Sequence, residues 1–473
     1  MDVQRENKWL FCVWLCLFAA MLSLRLSENI PGEDSGTNLP EGLAQEKKEP
    51  AAEAPAADSA GTAGGTDENS SYVSPLIRVL LTDSEQKGYM HEQVAVSSES
   101  AIHLAGSGVT IPPGQTEVIT AADGRFMDGK IVLETESPDA GIAVESISRA
   151  RGVPVYEGTL EIHKTEQGLY LVNELDLETY LKYVVPSEMP ASYSQEALKA
   201  QAVCARTYAV RAMENYALEE YQAQVDDSVS YQVYNNLDRQ ENTDLAVDST
   251  AGQIMTFEGE PITAYFFSTS CGYTSTDEVW SGEGGEAYLK SVYVGSDSPE
   301  NVQSEEVFAS FIQSADASDY ESEDGWYRWS VEIPAEVLDQ RLEAYGIGGI
   351  QDMAVLSRSS GGAVTALEIT GTGGSAVLEN EYRIREFLSV EGIPVTKNDG
   401  SVTEEMNLLP SAYFICSGVF ENGKTEGFLL LGGGYGHGVG MSQNGARHLA
   451  EQGYGWREIL NYFYQNITLE QIE

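Results

Sequence analysis

Positive charge is scarce in this chain. Lys and Arg total 27 against 74 Asp and Glu, a formal net charge of −47 over 473 residues. That balance excludes a nucleic-acid partner, because binding phosphate requires clustered cations. It argues equally against adsorption to an anionic lipid surface. Cysteine is also rare, with five residues in all. No CxxC pair occurs and the five histidines form no HExxH, so no zinc site has its usual spacing and no metal or cofactor is expected. Cys12 and Cys16 fall in an apolar stretch. Cys204, Cys271 and Cys416 leave room for one disulfide and one free thiol, which a body this large does not need. What the chain does have is apolar content of 42%, enough to bury a sizeable core and to exclude a wholly disordered polypeptide.

Only one long hydrophobic run is present, residues 9–24 (WLFCVWLCLFAAMLSL), preceded by Arg5 and Lys8. As a helix it spans ~24 Å, short of the ~30 Å hydrocarbon core. It reads as a secretory signal or an uncleaved anchor, and the lack of a small-x-small cleavage site favours the anchor. Residues 1–26 are therefore expected to form an apolar helix at a membrane, with the remainder outside the cytoplasm. Residues 27–74 are expected to be a disordered tether. Their central part, 44–66 (AQEKKEPAAEAPAADSAGTAGGT), has almost no large apolar side chain to offset its ordering entropy.

The folded body is expected over 75–473, α+β and richer in strand than helix. Short β runs punctuated by turn residues fill 76–173, including a hairpin of 159–163 with 169–172. Asp176 can cap a helix with the stripe Leu177, Tyr180, Leu181 and Val184, which Pro186 would end. A loop, 186–193 (PSEMPASY), then leads to a second helix. Ser192 and Gln195 fit a capping box for it, and Leu198, Ala202, Ala205, Ala209 and Met213 give it a stripe of mostly small residues. A strand-rich insert is expected at about 300–410, with a hairpin of 353–357 and 364–370. A glycine-rich segment, 432–440, leads to two final helices over 442–452 and 456–464.

Chemistry has few places to sit. Glu188 stands in the loop of this helical pair between two prolines. A carboxyl held by a stiff, enclosed loop loses solvation when ionised, so its pKa rises towards that of a general acid. The N-terminus of the following helix would oppose that rise. On spacing alone a solvated loop glutamate is the default. The segment 432–445 (GGGYGHGVGMSQNG) has alternating glycines that let backbone approach a ligand or another strand. It contains neither GxGxxG nor a P-loop lysine. His437 reads as structural or as part of a polar wall towards a sugar, with Ser442 and Gln443 opening the next helix. In 266–280 (FFSTSCGYTSTDEVW), Ser268 and Thr269 follow an apolar run, and Cys271 reads as a core residue or a disulfide partner. The polar and aromatic run ending in Tyr234 reads by default as core packing.

Taken in order, these pieces resemble the stage II sporulation protein D and amidase enhancer LytB family. The resemblance rests on DLETYLKYVVPSEMPASYSQEALKAQAVCARTYAV, then YQVY at 231–234, AYFFSTSCGYT at 264–274, VW at 279–280 and YGHGVGMSQNGARHLAEQGYGWREILNYFY at 435–464. It implies an extracytoplasmic, membrane-anchored protein acting on peptidoglycan glycan strands. The sporulation branch is a lytic transglycosylase cutting the β-1,4 bond after N-acetylmuramic acid in strands stripped of peptides, beside a cell-wall amidase and a membrane-anchored sporulation partner. The amidase enhancer branch stimulates an autolytic amidase instead. Carried over by motif, Glu188 is the catalytic glutamate, with Ser187, Tyr234, Ser268, Thr269, His437, Ser442 and Gln443 as expected cleft lining. Some members carry a histidine just before the Ser-Thr of the third motif, with zinc nearby. Here that position is Phe267, so no comparable zinc site is expected.

Overall fold

A computed structural model describes residues 72–215, 218–229, 231–282, 284–296, 301–314 and 319–472. The apolar segment 1–26 and the expected tether up to residue 71 lie outside the described residues. The last tether positions are part of the body. The Tyr72 hydroxyl donates to Glu178 Oε1 at 2.7 Å, and Ser74 Oγ accepts from the Glu178 amide at 3.1 Å.

The first half is built on a seven-stranded sheet. Its order is Val225–Asp226, Leu76–Leu81, Leu169–Asp176, Thr159–Lys164, Lys130–Thr135, Ile102–Leu104 and Val109–Ile111. The expected hairpin is at its centre, with Leu171 opposite Ile162 and Asn173 opposite Leu160. A second sheet orders Glu117–Thr120, Gln93–Ser97, Ile142–Val144 and Val155–Tyr156. Their apolar side chains form one core with the first two helices.

Helix α1 (Leu177–Glu188) starts where Asp176 accepts the Thr179 amide at 3.1 Å, and it buries Leu177, Tyr180, Leu181, Val184 and Val185. Pro186 does not end it. The missing proline N–H falls in the last turn, and the Met189 amide closes that turn on the Val185 carbonyl at 2.9 Å. Glu188 is thus the final helical residue rather than a loop residue. Helix α2 (Gln195–Asn215) follows. The expected capping box is not used: the Gln195 amide turns to Asn242, donating to its Oδ1 at 2.5 Å. Small residues let α2 pack on both sides. Ala197, Leu198, Ala202, Ala205 and Ala209 enter the first core, while Ala200, Val203 and Cys204 enter a second. Helix α3 (Glu241–Ser249) is locked to this pair by Arg206, which is fully buried. Arg206 donates to both Glu178 carboxylate oxygens, at 2.8 and 2.6 Å, and to the Val247 carbonyl at 3.2 Å.

The chain then passes Gln253–Phe257, α4 (Glu278–Ser281) and α5 (Glu305–Ile312) into a second β unit. A five-stranded sheet orders Val402–Thr403, Val395–Lys397, Trp329–Pro334, Lys424–Gly432 and Phe414–Glu421. The hairpin Ile350–Arg358 with Val364–Gly371 adds Gly374–Glu379. Helices α6 (Ala335–Leu342) and α7 (Glu381–Phe387) cover their shared core. The chain returns through Met441–Ser442, parallel to Phe266–Phe267, into α8 (Gln443–Glu451) and α9 (Trp456–Phe463). Cys204, Cys271 and Cys416 are all free thiols, so the disulfide for which the sequence left room is not formed.

Candidate active site

Glu188 sits where three stretches meet. Its Oε1 accepts the Val233 amide at 2.8 Å, and its backbone carbonyl accepts the Gln443 amide Nε2 at 3.1 Å. Residues 231–234 and the start of α8 are thereby fixed against the end of α1. The residue keeps some solvent contact while its carboxyl lies deep among protein atoms. Burial pushes that carboxyl up from 4.5 to about 7, against the single Val233 hydrogen bond. Its place at the C-terminal end of α1 works in the same direction, because the partial negative charge there disfavours a carboxylate. The sequence suggested the opposite helix effect, having placed Glu188 in a loop. Nearby, the buried Tyr180 hydroxyl has no hydrogen-bond partner among the described residues and senses the Glu188 charge.

Next to Gln443, the start of α8 joins a half-buried polar rim. Tyr193, in the loop after α1, donates to Asn444 Oδ1 at 2.5 Å, and Asn444 Nδ2 donates to Thr269 Oγ1 at 2.9 Å. The Ser268 hydroxyl stands 3.1 Å from Thr269 Oγ1. Arg447 lies over the Tyr193 ring, 5.3 Å from its centroid, and pairs with Asp324 at 2.6 Å. Tyr193, Ser268, Asn444 and Arg447 all retain solvent contact. They offer hydroxyl, amide and guanidinium groups of the kind that hold sugar hydroxyls.

Of the expected lining residues, Gln443 touches Glu188 directly, and Ser268 and Thr269 join the rim through Asn444. The others serve the fold. The Ser187 hydroxyl donates to the Tyr183 carbonyl at 2.7 Å, closing its own helix turn. Tyr234 is fully buried among Tyr156, Tyr180 and Tyr183, with its hydroxyl donating to Asn173 Oδ1 at 2.7 Å. Core packing, the default reading of that run, is what it does. Its contribution to the site is the neighbouring Val233 amide. Ser442 is fully buried and caps α8, accepting the Gly445 amide at 3.2 Å. His437 faces inward: Nε2 donates to the Phe266 carbonyl at 3.1 Å and Nδ1 accepts the Val439 amide at 3.0 Å. Burial, with help from the Arg385 charge, pushes its imidazole down to about 3, so it is neutral.

The alternating glycines let the chain pack closely on itself: Gly434 and Gly440 against backbone, Gly436 and Gly438 against the Phe267 and Tyr413 side chains. Gly440 has φ +78°, and a Cβ there would lie 2.0 Å from the Tyr265 carbonyl oxygen. The same closeness lets Tyr435 exchange backbone hydrogen bonds with Thr269, at 2.8 and 3.2 Å. Phe267, where some family members have histidine, offers no ligand atom and packs on His437, 5.7 Å between ring centroids. The donor set there does not fit a zinc ion.

Sequence reasoning missed Val233, Tyr193, Asn444, Arg447 and a second buried carboxyl, Glu321. Asn444 and Arg447 had a signal, since i, i+3 spacing on a helix puts them on one face. A backbone amide such as that of Val233 carries no side-chain signal.

Comparison with known proteins fits this geometry. A family model described as "Stage II sporulation protein" matches residues 165–257, which include Glu188 and all of α1, α2 and α3. Stage II sporulation protein D of Bacillus subtilis is 30% identical over 358 residues, covering 71% of this chain and 88% of its own length. The chain belongs to the stage II sporulation protein D family. Its counterpart in Bacillus amyloliquefaciens is 30% identical over 317 residues, 64% of this chain and 76% of that protein. The amidase enhancer of Bacillus subtilis is 29% identical over 304 residues, 61% of this chain, but the match spans only 40% of that longer protein. Residues 274–440, which include the whole second β unit, match a separate model described as a domain of unknown function. This family member therefore carries its candidate acid in one matched region and part of its rim, Thr269, Asn444 and Arg447, outside both.

Proposed function

We propose that this family member is an extracytoplasmic, membrane-anchored lytic transglycosylase of cell-wall glycan that works in sporulation. The observation that carries this reading is Glu188: one carboxyl at a helix end, its pKa lifted to about 7, beside a solvent-touching rim of sugar-compatible groups. Protonated Glu188 gives its proton to the glycosidic oxygen as the bond from that oxygen to the anomeric carbon breaks. The 6-hydroxyl of the same sugar forms the new bond to that carbon and returns its proton to Glu188. An internal nucleophile draws on proximity and needs no second carboxylate, whereas hydrolytic glycosidases use a spaced pair. Among the described residues, no acidic side chain hydrogen-bonds Glu188, which suits a lone acid and base.

The amidase enhancer likeness favours a second reading, a glycan-binding module that stimulates a cell-wall amidase without cleaving. One assay separates them. Protein and peptide-free glycan strands are incubated and the products are weighed by mass spectrometry. The transglycosylase reading expects 1,6-anhydro ends with the natural chain and none with a folded Glu188→Gln variant. Glycan binding without new ends in the natural chain overturns it in favour of the enhancer.

A further inference from the structure

We propose that Glu321 is a positioning residue for this site: supplied by the second matched region, its carboxylate pins the Ser442 cap of α8 and through it the Gln443 amide that grips Glu188. Glu321 is fully buried. Its Oε1 accepts the Ser270 amide at 3.0 Å and the Ser442 hydroxyl at 2.6 Å, and its Oε2 accepts the Ser270 hydroxyl. Both hydroxyls have their acceptor side occupied, Ser270 by the Gly272 amide at 3.1 Å and Ser442 by the Gly445 amide at 3.2 Å. Each is therefore oriented to donate to the one carboxylate.

The two serines lie on two segments that run side by side where Phe266–Phe267 pairs with Met441–Ser442. Ser270 follows Ser268 and Thr269, and Ser442 precedes Gln443 and Asn444. One buried carboxylate thus cross-links the segment that carries the hydroxyls to the helix end that carries the amides. Gln443 then reaches the Glu188 carbonyl. A buried carboxyl that accepts from three donors is costly to disturb, because each lost partner leaves an unsatisfied donor. The contact gives the domain of unknown function a physical link to the helix bearing the acid. Its catalytic consequence rests on the transglycosylase reading; the positioning itself does not.

The test uses the full chain with Glu321→Gln, which replaces one acceptor oxygen by an amide donor facing a hydroxyl. Hydrogen–deuterium exchange is the primary readout. Amides in 441–447 and in 186–190 are expected to exchange at least about 10-fold faster than in the natural chain. An increase confined to 268–272 and 319–323 overturns the proposal. With peptide-free glycan, kcat is expected to fall about 10-fold with KM held within about twofold. Adding Gln443→Ala is expected to cause no further fall, because both changes break one chain of contacts. Multiplicative losses in the double variant overturn the proposal. A natural chain that cleaves no glycan removes the transglycosylase reading, and the exchange result still decides the role of Glu321. Should Glu321→Gln not fold, Ser442→Ala breaks the same link from the other side, and unchanged exchange at 186–190 in that variant is equally fatal.

Discussion

Replacing Glu188 by glutamine should make the protein more stable while abolishing the proposed cleavage. Glutamine keeps an oxygen to accept the Val233 amide, so no contact is lost. What is removed is a charge that the site tolerates poorly. The carboxyl titrates at about 7 in the folded chain against 4.5 as an unperturbed group. The folded state therefore keeps this proton between those values while the unfolded chain has lost it, and stability falls as pH rises through that window. A shift of this size corresponds to roughly 3 kcal/mol. Solvent contact screens part of it, so about 2 kcal/mol is the expected gain at pH 8. Thermal unfolding of both forms should show nearly equal Tm below pH 4.5 and a gain of roughly 2–3 °C for the glutamine form above pH 7. A gain that does not depend on pH, or a glutamine form less stable than the natural chain at pH 8, would refute an acid held protonated by burial.

Other outcomes follow from the same geometry. As the proton donor, Glu188 should give a kcat/KM for glycan cleavage that falls about tenfold per pH unit above 7, and a profile flat to pH 9 would contradict that role. His437→Ala removes both the donor to Phe266 and the acceptor for Val439, so unfolding should become easier by about 2–4 kcal/mol, while glycan affinity measured by calorimetry stays within about twofold. Gly440→Ala forces a Cβ to within 2.0 Å of a carbonyl oxygen at φ +78°, and soluble yield should collapse or Tm drop by about 8 °C or more. Asp227→Asn weakens a buried pair with Arg149 in which both side chains are at most 1% exposed, and denaturant unfolding should show a loss of about 3 kcal/mol.

Much of the fold was legible in the sequence because it depends on short-range patterns. The hairpin around residue 168, the Asp176 cap and the small-residue stripe of α2 are local signals, and each appears in the structure. Pro186 misled because a proline breaks a helix only where its missing N–H and ring clash matter. In the last turn, with Met189 closing on Val185, little is lost. That one residue moved Glu188 from a stiff loop to a helix C-terminus and reversed the sign of the helix effect on its proton. The second side of α2 was equally hidden, since Ala200 and Val203 face a core made of residues far along the chain.

The site was half legible for a related reason. Hydroxyl and imidazole groups beside glycines look like ligand-binding groups, but a tightly approaching backbone leaves amides and carbonyls that must be satisfied. Ser442 and His437 satisfy them, so the segment richest in glycine spends these polar side chains on the fold. The groups left facing solvent lie just beyond, at Asn444, whose own amide is taken by the Ser268 carbonyl at 3.0 Å, and one turn further at Arg447. If that partition holds, alanine at Asn444 or Arg447 should weaken glycan binding more than it weakens folding. Alanine at His437 or Ser442 should do the reverse. Binding isotherms set beside melting curves for the four variants would expose any exchange of the two classes.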